Sequence, residues 1–172
     1  VSDIPSGRLA QFSFKSKVKV TEELAQVYGI EGILDAMRFS GGLSYAIQDR
    51  PSYGVQLDVR NLNLDSYRAA REDASGGAGL KSALGSLDRF DATYKLAARN
   101  LTVNGLNIAA ARMEGVLLAG RLEASIIKLD DFSGVNLTAS GRGGNFSAKP
   151  EITLKISADS TNLAPLQRAL KW

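Results

Sequence analysis

Apolar and polar residues alternate through most of this chain. In LAQFSFKSKVKV (9–20), Phe12, Phe14, Val18 and Val20 fall on one face and Lys15, Lys17 and Lys19 on the other. That period of two predicts a half-buried strand. Val55, Leu57 and Val59 alternate with Gln56, Asp58 and Arg60, so 39–48 and 53–64 read as two strands joined through Asp49-Arg50-Pro51-Ser52. Proline there favours a turn and forbids a helix. Phe90, Ala92, Tyr94 and Leu96 alternate with Asp91, Thr93 and Lys95. Asn104-Gly105 then separates Leu101 and Val103 from Leu106 and Ile108, the dipeptide that a two-residue hairpin prefers because both positions tolerate positive φ. Gly141-Arg142-Gly143-Gly144 reads as a turn, 145–148 as a short strand, and Ile152, Leu154 and Ile156 mark another strand over 151–157.

Helical spacing interrupts this pattern in a few places. Thr21 is a good N-cap and Glu22-Glu23 suit a helix start, so Leu24, Val27 and Tyr28 predict a helix over 22–28. Ile30, Ile33, Leu34 and Met37 extend an apolar face as further helical turns, with Met37 as core filler. Asp65 or Ser66 is placed to cap a short helix through Tyr67 and Ala70, after Leu62 and Leu64 continue the strand through a bulge. Residues 71–86 are expected to be a mobile connection or a frayed short helix around Leu80 to Leu84, and Leu163, Leu166 and Leu170 outline a C-terminal helix with Pro165 in its first turn. FKSKVKVTEELAQVY, VQLDVRNLNLDSYRAA and ITLKISADSTNLAPLQRAL each run strand, polar cap, helical turn, a weak repeat. The expected architecture is therefore mainly β with a few short helices: a curved antiparallel sheet, an open groove or half-barrel, built from strand-then-helix repeats. It divides into an N-terminal β/helix part (1–70), a flexible Gly/Ser-rich connection (71–86) and an antiparallel β region with a C-terminal helix (87–172).

Composition narrows the chemistry. The 172 residues contain neither histidine nor cysteine, which removes the commonest general base, the thiolate nucleophile and every imidazole or thiolate metal ligand. No metal and no cofactor are expected. The 21 basic and 18 acidic residues are interspersed and give a net charge of +3, without a block that would mark a nucleic-acid partner. The three lysines of 15–19 read as a solvated face or a guarded edge strand. No run of about 18 apolar residues spans a bilayer, and no leader is legible. The chain is expected to be a fragment of a longer protein, since it begins at Val1 and ends at Trp172 straight after a helix-like run.

Motifs that suggest catalysis fall away on inspection. Ser16-Lys17-Val18-Lys19 and Ser125-Ile126-Ile127-Lys128 match S-x-x-K, but both lie in strands, where i and i+3 point to opposite sides, and the Ser-Asp-Asn and Lys-Thr-Gly partners are missing. The stretch from Ser75 to Ser82 lacks the Gly-Lys-Ser/Thr order of a phosphate loop. Asp130-Asp131 and Glu22-Glu23 are read as solvated or capping carboxylates. Tyr45, Tyr53, Tyr67 and Tyr94 have no basic groove beside them that would make a stacking platform. An enzyme is not expected.

FDATYKLAARNLTVNGLNI, RMEGVLLAGRLEASIIKL with its turn at Gly120-Arg121-Leu122, DDFSGVNLTASG and the closing PEITLKISADSTNLAPL together resemble the C-terminal region of the AsmA family of bacterial envelope proteins. The resemblance covers residues 88–170, and 9–70 only in style; Ala119 stands where Asp or Asn is expected before the second turn. It implies a long, strongly curved antiparallel sheet, similar to repeating β-groove lipid-transfer proteins. It also implies a periplasmic location, anchored to the bacterial inner membrane through a segment outside this chain, and a part in phospholipid movement and outer-membrane homeostasis. The implied ligand is phospholipid acyl chains, which an uncovered apolar face shelters at about 0.8 kcal/mol per methylene. Candidate lining residues are Phe90, Tyr94, Leu96, Leu101, Val103, Leu106, Ile108, Val116, Leu118, Leu122, Ile126 and Leu137, each of which also suits ordinary core packing. The alternative is a structural or protein-interaction β module of the envelope, with its apolar face covered and an envelope protein partner at a bare strand edge.

Overall fold

The computed structural model describes residues 11–67, 86–146, 148–160, 162 and 164. They form one curved, unclosed sheet of nine strands in sequence order. The strands are β1 (Phe12–Val20), β2 (Leu24–Leu34), β3 (Met37–Ala46), β4 (Ser52–Arg60), β5 (Asp91–Val103), β6 (Leu106–Leu118), β7 (Arg121–Phe132), β8 (Val135–Gly144) and β9 (Glu151–Asp159). Every neighbouring pair is antiparallel except β4 and β5, which run parallel from Ser52↔Asp91 to Arg60↔Arg99. Short 3₁₀ turns, Leu64–Tyr67 and Leu87–Arg89, flank the crossover. The sheet is continuous through β4 and β5, so the described residues on both sides of the crossover share it.

Local chemistry explains the hairpins. Asn104 and Gly105 have φ of 51° and 72°, both positive as a type I′ turn requires, between the ladder partners Val103 and Leu106. Ala119-Gly120 (φ 49° and 73°) and Ser133-Gly134 (50° and 90°) repeat the geometry for the next two hairpins. The β6–β7 turn therefore sits one residue earlier than the expected Gly120-Arg121-Leu122, because Leu118 already pairs with Arg121. Arg50 and Pro51 lie in the β3–β4 turn, as the sequence suggests.

Where helices are expected at 22–28 and 30–37, the chain instead forms a turn at 22–23, β2, the turn at 35–36 and the first residue of β3. Thr21 closes a hairpin rather than a helix: its N–H donates to the Leu24 carbonyl at 2.8 Å and its Oγ1 accepts from Leu24 N at 3.1 Å. Within β2 an extra residue bulges at Tyr28-Gly29, where Gly29 has φ of 59° and the pairing shifts against both neighbours. The bulge separates Val27 from Ile30 by three positions on the same face, and that spacing imitates a helix. The turn expected at 141–144 lies inside β8, and where a strand is expected over 145–148 the described residues Asn145, Phe146 and Ala148 form a loop, with Ala148 N donating to Asn145 O at 3.1 Å. The strand expected through Leu64 stops at Arg60, since Asn61 is left-handed at φ 59°. Of the short helix expected through Tyr67 and Ala70, Leu64–Tyr67 is a 3₁₀ turn and 68–70 lie outside the described residues; the Asp65 carboxylate accepts from Asn104 N at 2.6 Å and Gly105 N at 2.7 Å, clamping the β5–β6 turn. The strand-then-helix repeat thus gives way to hairpins at its first copy, where the helical half is β2. The helix around 80–84 and that of Leu163, Leu166 and Leu170 lie outside the described residues.

Candidate functional site: an apolar sheet face

Ladder partners share a face of a sheet, so the register assigns each side chain to a side. One row runs across all nine strands through Val18, Val27, Leu43, Val55, Tyr94, Gly115, Ala124, Gly141 and Leu154. Two positions along each strand, the flanking rows repeat the composition: Leu57, Leu96, Met113, Ile127, Ala139 and Ile156 on one side, Tyr53, Ala92, Leu117, Leu122, Gly143 and Ile152 on the other. The opposite face carries Lys15, Glu31, Arg38, Asp58, Lys95, Glu114, Lys128 and Lys155. At about 4.8 Å per strand the apolar row extends roughly 38 Å across the sheet.

Little covers this face. Among the described residues only Val59, Ile108, Leu117, Ala124, Val135 and Phe146 are buried hydrophobics, and no side chain is fully buried. Phe14, Val18, Leu43, Ile152, Leu154 and Ile156 are each more than half or about half exposed, at 50–65%. Between Val18, Val27, Leu43, Tyr45, Tyr53 and Val55 the face holds a hollow of about 270 Å³. Larger hollows, about 460 to 710 Å³, open on the polar face among charged side chains.

Aromatic rings shape the apolar surface. The Tyr94 ring lies over Gly115, where a Cβ would meet its hydroxyl at 2.3 Å, and Phe39 lies over Gly32 in the same way at 2.2 Å. Burial raises the Tyr94 phenol above its usual pKa, so it stays neutral. At one end Tyr45, Tyr53 and Phe90 form a chain of ring contacts, 5.1 Å and 5.4 Å between centroids. Phe146, 2% exposed, folds from the loop after β8 towards Gly143, in the row of Leu117 at 3%. At the other end Phe12, Phe14 and Phe39 stack at 6.4 and 6.5 Å.

The twelve candidate lining residues separate into three groups. Tyr94, Leu96, Leu122 and Leu137 lie on the apolar face, and Phe90 stands at its aromatic end against Tyr53. Leu101, Val103, Leu106 and Ile108 pair with one another beyond a kink at Asn100 (φ 54°) and, with Phe132 and Val135, form a separate cluster. Val116, Leu118 and Ile126 are ladder partners of Glu123, Arg121 and Glu114, which places them on the polar face. A bulge at Ser125, whose Oγ donates to the Glu114 carbonyl at 3.1 Å, brings Ile127 rather than Ile126 onto the apolar side. The candidates also omit the first-half strands and β9, although Val55, Leu57 and Val59 and Ile152, Leu154 and Ile156 signal the same face by plain alternation.

The adjacent carboxylates Asp130 and Asp131 serve separate local roles. Asp131 accepts from Gly134 N at 2.9 Å within its own turn, while Asp130 pairs with Lys128 at 2.9 Å. Among the described residues no cluster of His, Cys, Asp or Glu could hold a metal ion, and no helix is long and apolar enough to cross a membrane. No family model, curated protein or solved structure matches this chain.

Proposed function

We propose that this chain is a non-catalytic, AsmA-like segment that binds or guides phospholipid by its acyl chains, working in the bacterial periplasm between membranes and supporting outer-membrane assembly. The observation that carries the reading is the unbroken apolar row from β1 to β9 with no second layer over it among the described residues. Hydrocarbon is the ligand such a surface suits: it is non-directional, it offers no polar partner, and acyl chains gain by leaving water. Because the row crosses strand after strand, a chain lying on it moves along the sheet without losing contact.

The test is lipid capture. The purified chain is incubated with phosphatidylethanolamine vesicles, separated from them and assayed by native mass spectrometry. Lipid is expected on the parent and on Leu118→Glu, which alters the polar face, and is expected to be lost from Leu43→Glu and Met113→Glu, which place a charge on the apolar face. Lipid on all four, or on none, sinks the proposal. The second reading, a protein-interaction module, draws on β9, all nine of whose residues are exposed. It takes precedence if no lipid is retained and a β9 variant loses an envelope protein partner.

A further inference from the structure

Three arginines stand abreast on the polar face. Arg38 of β3 is the ladder partner of Arg60 in β4, and Arg60 is the partner of Arg99 in β5. Direct partners have Cβ atoms about 5 Å apart, and like charges directly opposite destabilise a sheet. Carboxylates stand near this row but are engaged by other cations: Glu31 pairs with Lys15 and Glu114 with Arg112. Arg60 reaches Asp58 at 3.5 Å, and among the described residues no carboxylate pairs with Arg38 or Arg99. The next partner in the row is Ala110, and Asp130 beyond it is held by Lys128.

The backbone fixes the arrangement. Asn61 and Asn100, each directly after an arginine, are both left-handed at φ 59° and 54°, and Asn100 Nδ2 donates to Asn61 Oδ1 at 2.9 Å. This matched pair of kinks locks β4 and β5 in register and holds Arg60 and Arg99 side by side. Two hollows adjoin the row: one of about 460 Å³ bordered by Arg38, Arg60, Lys15 and Glu31, the other of about 530 Å³ bordered by Arg99, Lys95, Arg112 and Lys128 with Glu114 and Asp130. Asp58 borders both.

We propose that Arg38, Arg60 and Arg99 form a binding site for phosphate oxyanions on the polar face of the sheet. A guanidinium offers a planar fork of donors matched to phosphate oxygens, and an anion bridging neighbouring forks turns their repulsion into attraction. The site is separate from the apolar face, so it stands whether or not that face carries lipid. Its phosphate comes either from a free anion or from a lipid headgroup at a membrane surface.

The experiment uses the full 172-residue chain. Inorganic pyrophosphate is titrated by calorimetry, and flotation is measured with phosphatidylcholine vesicles with and without phosphatidylglycerol. Arg60→Gln/Arg99→Gln is compared with Lys155→Gln, which removes one positive charge elsewhere on the same face. Saturable binding in either arm is expected, weakened at least about tenfold by the double substitution and unchanged by Lys155→Gln. Pyrophosphate alone assigns a free anion, and vesicles alone assign a headgroup. Without anion, the double variant is expected to melt at a higher temperature than the parent, since a repulsion is gone. Absence of binding in both arms, or equal loss in Lys155→Gln, overturns the site. Should the double variant not fold by circular dichroism, Arg99→Gln is read in its place under the same criteria.

Discussion

A single carboxylate ties two turns of the sheet to the start of β5. Asp91 Oδ1 accepts from Ala119 N at 2.8 Å in the β6–β7 turn and from Arg50 Nε at 2.6 Å in the β3–β4 turn, while Arg50 Nη2 also donates to the Phe90 carbonyl at 3.2 Å. The Ala119 N–H, and after it Arg50, holds the Asp91 carboxyl below its ordinary value of 3.8. A folded-state pKa below the unfolded one means that the ionised form favours folding. The contribution is complete above about pH 3.8 and is lost as the pH falls from there through the folded-state value. Asp91→Asn is therefore expected to lower the urea midpoint at neutral pH, and the gap from the parent is expected to close as the pH drops below 3.8. A gap that stays constant down to pH 2.5 (about one unit below the ordinary carboxylate range) would remove Asp91 from this role. The same residue accounts for Ala119, where Asn or Asp is usual: alanine tolerates its left-handed φ of 49° because its N–H is bound from outside the hairpin.

Individual strands show where alternation is sufficient and where it fails. β1, β4 and β9 were legible because period two persists from end to end, β5 because it holds as far as the kink at Asn100, and the Asn104-Gly105 hairpin because its dipeptide fits only a few backbone conformations. β2 was not: one bulged residue at Tyr28-Gly29 changes a spacing of two into three, and Thr21-Glu22-Glu23 offers a helix start to any local reading. A bulge is set by what neighbouring strands pair with, so its position is not written in the strand itself. The site suffered in the same way, since the bulge at Ser125 exchanges Ile126 for Ile127 on the apolar face. Glycines within β8 resembled a turn for a different reason: they answer to close packing. In β6, a Cβ on Gly115 would meet the Glu123 carbonyl at 2.1 Å as well as the Tyr94 ring. Because one of those neighbours is backbone and cannot step aside, Gly115→Ala is expected to cost about 1–3 kcal/mol by overpacking. Equilibrium denaturation measures this, and an alanine variant as stable as the parent would show that β6 and β7 can move apart there.

At the scale of the whole molecule, a single sheet buries one face only if something lies upon it, and among the described residues no second layer does. Soluble monomers rarely expose contiguous apolar patches of more than a few hundred Å². The sheet compensates elsewhere: its polar face carries lysines along β1 and ion pairs such as Lys15–Glu31 at 2.8 Å, which favour solubility and add at most about 1 kcal/mol each. Those charges lie on the other side of the sheet and cannot shelter its apolar residues. In lipid-free buffer the chain is therefore expected to self-associate through this face, and mild detergent is expected to return it to monomer. Leu57→Glu, on the apolar face, should favour monomer without detergent, whereas Val116→Glu, on the polar face, should leave association unchanged. Sedimentation velocity across protein concentration reads both effects. If the parent is monomeric without detergent and binds no apolar dye, the face is covered in solution and hydrocarbon has nowhere to lie. If Val116→Glu and Leu57→Glu disrupt association equally, contact runs through both faces and the division of the sheet into an apolar and a polar side does not govern assembly.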